Sequence, residues 1–211
     1  RNTETPAPVL AQTIECLAKV DHKDSLTASL SALVALSKIK GDGKSQSTGR
    51  NAFLKNPKLD NFHTSLESIA SATPESDEAR WAHAGLLELA ARKNVGPEAK
   101  ASAKSAIDMA WQDPIRKIIL INLAAELRNH HLDARISAAR TDFDPDVVTA
   151  AKRAARRLRI PDPGEDTSPK IESLDAAEAL AQVVQTKGEV ALGEAVFIQA
   201  ACATCHTVSQ D

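Results

Sequence analysis

The sequence predicts an all-α protein, on three observations. Aromatic residues make up only 3% of the 211 residues, with no Tyr among them, so the aromatic stock that fills strands is thin. Roughly one residue in six is Ala, the strongest helix former. Apolar residues also recur at intervals of three and four between short breaks rich in Pro, Gly and Asp. A hydrophobic content of 43% is enough to bury a core. The formal charge of −2 and pI of about 6.3 give no whole-chain attraction to nucleic acid. No apolar run reaches the roughly 18 residues that a membrane-spanning helix needs.

Taken in order, the first clear element is DSLTASLSALVALSKI, where Leu26, Leu30, Leu33 and Ile39 fall near helical spacing. Asp24 is placed to cap it, and Gly41-Asp42-Gly43 to end it. GDGKSQSTGR then reads as a polar connection. LDNFHTSLESIAS follows as a second helix with Leu59, Phe62, Leu66 and Ile69 as its stripe. From Pro74 the pattern is regular. PESDEARWAHAGLLELAARK places Ala79, Ala82, Leu86 and Leu89 on one face, and GPEAKASAKSAIDMAW opens with Pro97 in a first turn and turns Ala103, Ala106, Ile107 and Ala110 inward. DPIRKIILINLAAELRN is apolar enough from Ile118 to Leu123 to be buried on more than one face. DPDVVTAAKRAARRL uses Val147, Ala151, Ala154 and Leu158. Such short connections make antiparallel neighbours.

The last two helices align with each other: Asp113-Pro114 and Asp144-Pro145 open them 31 residues apart, and Ala124 with Leu127 recurs as Ala155 with Leu158. A period of this size implies stacked helical hairpins, each too small to bury its apolar face alone. FDPDVVTAAKRAARRL resembles the second-helix signature of HEAT repeats, with Asp144-Pro145 at the turn, Val148 following, and small residues at Ala151 and Ala155. The resemblance covers roughly residues 20 to 160 and implies an α-solenoid that serves as a scaffold or docking surface.

After Ile160 the composition changes to PDPGEDTSPK, whose prolines cannot continue a helix. The organisation expected is therefore a solenoid over 1–160, a Pro-rich linker over 161–170, and a separate segment over 171–211. In that last segment IESLDAAEALAQVVQTK reads as a short helix, a second helix is expected over 189–201, and the chain closes on ACATCHTVSQD.

Cys202, Cys205 and His206 form C-x-x-C-H, the attachment sequence of a c-type haem. Two thiols three positions apart suit the two vinyl groups on one porphyrin edge, and the adjacent imidazole suits an axial position on the iron. A thioredoxin-like redox pair would want a βαβ context, and the chain offers no strands. A zinc site would want a second ligand cluster, and Cys16 and His22 lie far off along the chain.

The flanking residues, Gly193 to Phe197 before the motif and Thr207-Val208 after it, resemble the N-terminal helix and haem motif of class I cytochromes c. The order of parts resembles the haem-binding domain at the end of large planctomycete- and verrucomicrobial-type membrane-bound dehydrogenases. There a β-propeller precedes HEAT repeats and a cytochrome c. The resemblance implies that Cys202 and Cys205 hold haem c, that His206 is the proximal iron ligand, and that the protein is periplasmic or exported. It implies an electron donor or acceptor protein, or a fused dehydrogenase domain, as partner, and places substrate oxidation outside this segment. On this reading the segment is a piece of a longer chain, with only the start of the cytochrome domain and no distal ligand. The competing reading is a helical-repeat interaction module without a redox role.

Other residues read more plainly. Met109, the only Met, is expected to fill core space, and Cys16, beside Ile14, Leu17 and Val20, to be a small buried hydrophobe. Lys152, Arg153, Arg156, Arg157 and Arg159 form a solvated face or a docking patch for an acidic partner. His130-His131 is placed at a helix end. No nucleophile-base set, phosphate loop or paired-acid motif occurs in the sequence.

Overall fold

Every regular element among the residues that the computed structural model describes, 5–162 with 175–177, 180, 181 and 197, is helical. The chain divides into two units, Arg1–Pro163 and Gly164–Asp211. In the first, the α-helices are α1 (Ala7–Leu17), α2 (Lys23–Lys38), α3 (Gly43–Leu54), α4 (His63–Ala72), α5 (Asp77–Ala91), α6 (Pro97–Ala110), α7 (Pro114–Leu127), α8 (Asp133–Ala138) and α9 (Pro145–Leu158). Short 3-10 turns at Leu59–Phe62, His130–Leu132 and Ala139–Thr141 join some of them.

Helix α5 is the hub, packing against α2, α3, α4, α6 and α7. Its sequence explains this: Trp81, Ala82, Ala84, Leu86, Leu87, Leu89 and Ala90 are all buried, so the apolar surface runs almost all the way round rather than along one stripe. Around it α4 packs on α6, α5 on α7, and α7 on α9. Each fully buried Leu in this core contributes about 1.5–3 kcal/mol relative to exposure. The expected inward faces of α6 and α9 are buried as read, Ala103, Ala106, Ile107 and Ala110 in one and Val147, Ala151, Ala154 and Leu158 in the other.

The 31-residue offset extends to details of geometry. Both α7 and α9 are 14 residues long, start with Pro after an Asp cap, and end on an Arg in the left-handed conformation, Arg128 and Arg159. Asp113 Oδ1 accepts from the Arg116 N–H at 3.0 Å, and Asp144 Oδ1 from the Asp146 N–H at 2.8 Å. Both helices close with the same wrap-around bond, Asn129 N–H to the Ala124 carbonyl and Ile160 N–H to the Ala155 carbonyl, each 2.9 Å.

Two expectations are corrected here. The polar stretch GDGKSQSTGR is not a connection but most of α3, capped by Asp42, whose Oδ1 accepts from Ser45 N–H at 3.0 Å. Its buried face is made of Ser45, Gly49, Phe53 and Leu54, small at one end, so it carries little apolar periodicity. A Cβ on Gly49 would lie 2.7 Å from Leu36 Cδ2 and 2.9 Å from Ile14 Cδ1, which is how closely α3 approaches α1 and α2. The cap of α2 is His22, whose Nδ1 accepts from Asp24 N–H at 3.3 Å, while Asp24 itself lies in the first turn. At the other end of α2, Gln46 of α3 donates to the Ile39 carbonyl at 2.7 Å.

The second unit is described at few positions. Ala176, Ala177, Leu180 and Ala181 are helical and exposed, and Phe197 is helical and half-buried. The rest of the helices expected over 171–187 and 189–201 lies outside the described residues.

Candidate functional site

Cys202, Cys205 and His206 lie outside the described residues. Their donor chemistry, two thiols and an imidazole within five residues, suits covalent attachment and ligation of haem. Among the described residues no cluster of His, Cys, Asp and Glu is arranged to hold a metal ion.

Two residues expected in the core are at the surface. Cys16 is exposed and free: in α1 the buried positions are Ala7, Ala11 and Ile14, and Cys16, two residues past Ile14, comes round to the far side of the helix. Met109 is 51% exposed, because Ala106, Ile107 and Ala110 take the inward face of α6. The basic residues Lys152, Arg153, Arg156, Arg157 and Arg159 are all exposed and have no ion pair among the described residues. His130 lies in the 3-10 turn after α7, its Nδ1 2.9 Å from Asp133 Oδ2 at the start of α8. His131, beside it, is held below its ordinary pKa by partial burial and then by the cations Lys104, Arg135 and Lys100.

Sequence reasoning missed a charged groove in the first unit. Three adjoining hollows of about 240, 290 and 400 Å³ run from the end of α2, between α3 and α5, to the turn after α7. The first two share Arg50 and Glu126, and the last two share Glu88, Leu127 and Arg128. Arg80 stacks over Trp81 with its guanidinium carbon 5.6 Å from the ring centroid and bonds Glu126, which Arg50 approaches at 4.0 Å. Glu88 accepts from Arg92 Nε at 3.0 Å, and the same guanidinium donates to the carbonyls of Leu54 and Asn56, tying the end of α5 to the end of α3. Lys55 and Arg128 line the middle hollow with no ion pair among the described residues. No local spacing could have announced this groove, since its charges come from three helices far apart in the chain.

Comparison with known protein families, with curated proteins and with solved structures finds no match to this chain.

Proposed function

We propose that the chain is an electron-transfer segment of a haem-containing dehydrogenase, in which a HEAT-like helical solenoid over 1–160 is the scaffold and C-x-x-C-H is the covalent attachment site. The observation that carries this reading is the motif itself, Cys202, Cys205 and His206, preceded by GEVALGEAVFIQAA. Cys202 and Cys205 would hold the haem through thioether bonds to its two vinyl groups, and His206 would ligate its iron. Bound haem supplies a one-electron iron couple. Attachment of this kind accords with a periplasmic or exported protein. The solenoid part of the reading is supported by the packing of α4 on α6, α5 on α7 and α7 on α9, and by the matched caps 31 residues apart.

A pyridine haemochrome assay on the full-length protein exported in a cytochrome c maturation host tests the proposal. The expected result is one c-type haem per chain, lost in Cys202→Ser/Cys205→Ser. Haem-free protein of full helical content from the same host would instead favour an interaction module with no redox role, a reading that the charged groove independently supports.

A further inference from the structure

The groove between α3, α5 and the end of α7 is lined by more cations than carboxylates. Its two carboxylates are already engaged, Glu126 by Arg80 and Glu88 by Arg92. Arg50 touches Glu126 only at 4.0 Å, and Lys55 and Arg128 have no ion pair among the described residues. Arg128 adopts φ 52°, ψ 43°, a conformation in which Gly or Asn is the usual helix terminator and a larger residue costs about 1 kcal/mol. That left-handed Arg belongs to two of the three hollows. Half-buried Leu127 lines the same hollow as Arg50, Lys55 and Arg128.

We infer that this groove binds an extended acidic segment of a partner protein, whose carboxylates pair with Arg50, Lys55 and Arg128 while an apolar side chain rests on half-buried Leu127. Guanidinium forks match carboxylates in two-point geometry, and a row of adjoining hollows suits an extended chain with alternating side chains better than one compact ligand. Single-stranded nucleic acid fits less well. It stacks its bases on open aromatic faces, whereas Trp81 is 6% exposed and Arg80 lies over its ring. The basic residues of α9 line none of these three hollows. The inference does not depend on haem attachment, so its failure and that of the redox reading are separate events.

The 31-residue correspondence supplies the test. Arg128→Gly and Arg159→Gly remove the same side chain from the same left-handed cap, so both keep the fold, but only the first empties the groove of a cation. The probe is a fluorescein-labelled peptide of about ten residues alternating Glu with Leu or Ala, titrated by anisotropy against the full chain at two salt concentrations. Expected is saturable one-to-one binding that weakens with salt, with Arg128→Gly weakening it about tenfold and Arg159→Gly changing it less than about twofold. Arg50→Gln should act in the same direction as Arg128→Gly. Equal losses in the two Gly variants would mean diffuse attraction and overturn the proposal. So would unaltered affinity in Arg128→Gly, no saturable binding by the parent chain, or an oligonucleotide of equal charge that binds more tightly than the peptide.

Discussion

His83 is the residue whose chemistry is most at odds with its surroundings. It sits on α5 with 0% exposure, and neither ring nitrogen has a hydrogen-bond partner. Burial first, and then Arg116 on α7, push its pKa from 6.5 down to about 4. The imidazole is therefore neutral in the folded state through most of the acid range. Between pH 6.5 and 4 the unfolded chain takes up a proton that the folded chain refuses, so stability is complete above pH 6.5 and declines toward pH 4. The loss attributable to this residue is on the order of 2–3 kcal/mol. Replacing it by Leu removes both the titration and two unsatisfied nitrogens. Urea unfolding of His83→Leu should show stability at pH 7.5 equal to or above that of the parent, and a clearly smaller drop at pH 4.5. A drop of parent size would place the acid sensitivity elsewhere.

Gly49 makes the opposite kind of demand on its position. In a solvated helix Gly→Ala gains about 1 kcal/mol. Here the new methyl would meet Leu36 Cδ2 at 2.7 Å and Ile14 Cδ1 at 2.9 Å, tips of side chains that are 1% and 0% exposed and have little room to turn. Overpacking of this kind costs about 1–3 kcal/mol and outweighs the propensity gain. Thermal unfolding of Gly49→Ala should fall below that of the parent. A higher melting temperature would mean that α1 and α3 separate without cost.

At the scale of elements, the caps divide the work unequally. Asp113 satisfies one N–H of α7, but Asp144 accepts from both Asp146 and Val147, at 2.8 and 3.4 Å. Asp113→Ala and Asp144→Ala should each cost about 1 kcal/mol by chemical denaturation, with Asp144→Ala the larger. Equal or negligible losses would show that Pro at the first helical position suffices to start both helices. These caps also mark where the sequence was legible. Asp-Pro followed by apolar residues at three- and four-residue spacing located α7 and α9 and half of their repeat relationship. Helix α3 was hidden because Ser45 and Gly49 are buried by closeness of approach, which needs absence of volume rather than hydrophobicity. The exposure of Cys16 and Met109 was hidden for a related reason. Small Ala7 and Ala11 share the buried face of α1 with Ile14, and the inward face of α6, legible as Ala103, Ala106, Ile107 and Ala110, is already filled without Met109. The groove was illegible altogether, since Arg50, Arg80 and Glu126 meet only after α3, α5 and α7 have packed.

For the whole molecule, the question is whether the helical core depends on the haem motif at all. Among the described residues the connected core runs from Ala7 to Leu158, and the largest fully buried side chains, from Ile14 to Leu123, belong to the first unit. The exit of that unit is fastened locally: Arg140, buried beside α9, donates to the Ile160 carbonyl at 2.8 Å and to Asp162 Oδ1 at 2.5 Å. The thiols Cys202 and Cys205 lie some forty residues further along the chain. A ligand stabilises only the cooperative unit that binds it in the native state. Since the described core is continuous from Ala7 to Leu158 and Arg140 fixes the chain just beyond it, haem occupancy should leave its unfolding unchanged. The full chain and its Cys202→Ser/Cys205→Ser variant, compared by thermal melts of helical circular dichroism, should share the major transition to within about 2 °C, which for a unit of this size is less than about 1 kcal/mol. Haem loss that lowers this transition by ten degrees, or abolishes it, would make the two units one cooperative body and transfer part of the fold's stability to the motif.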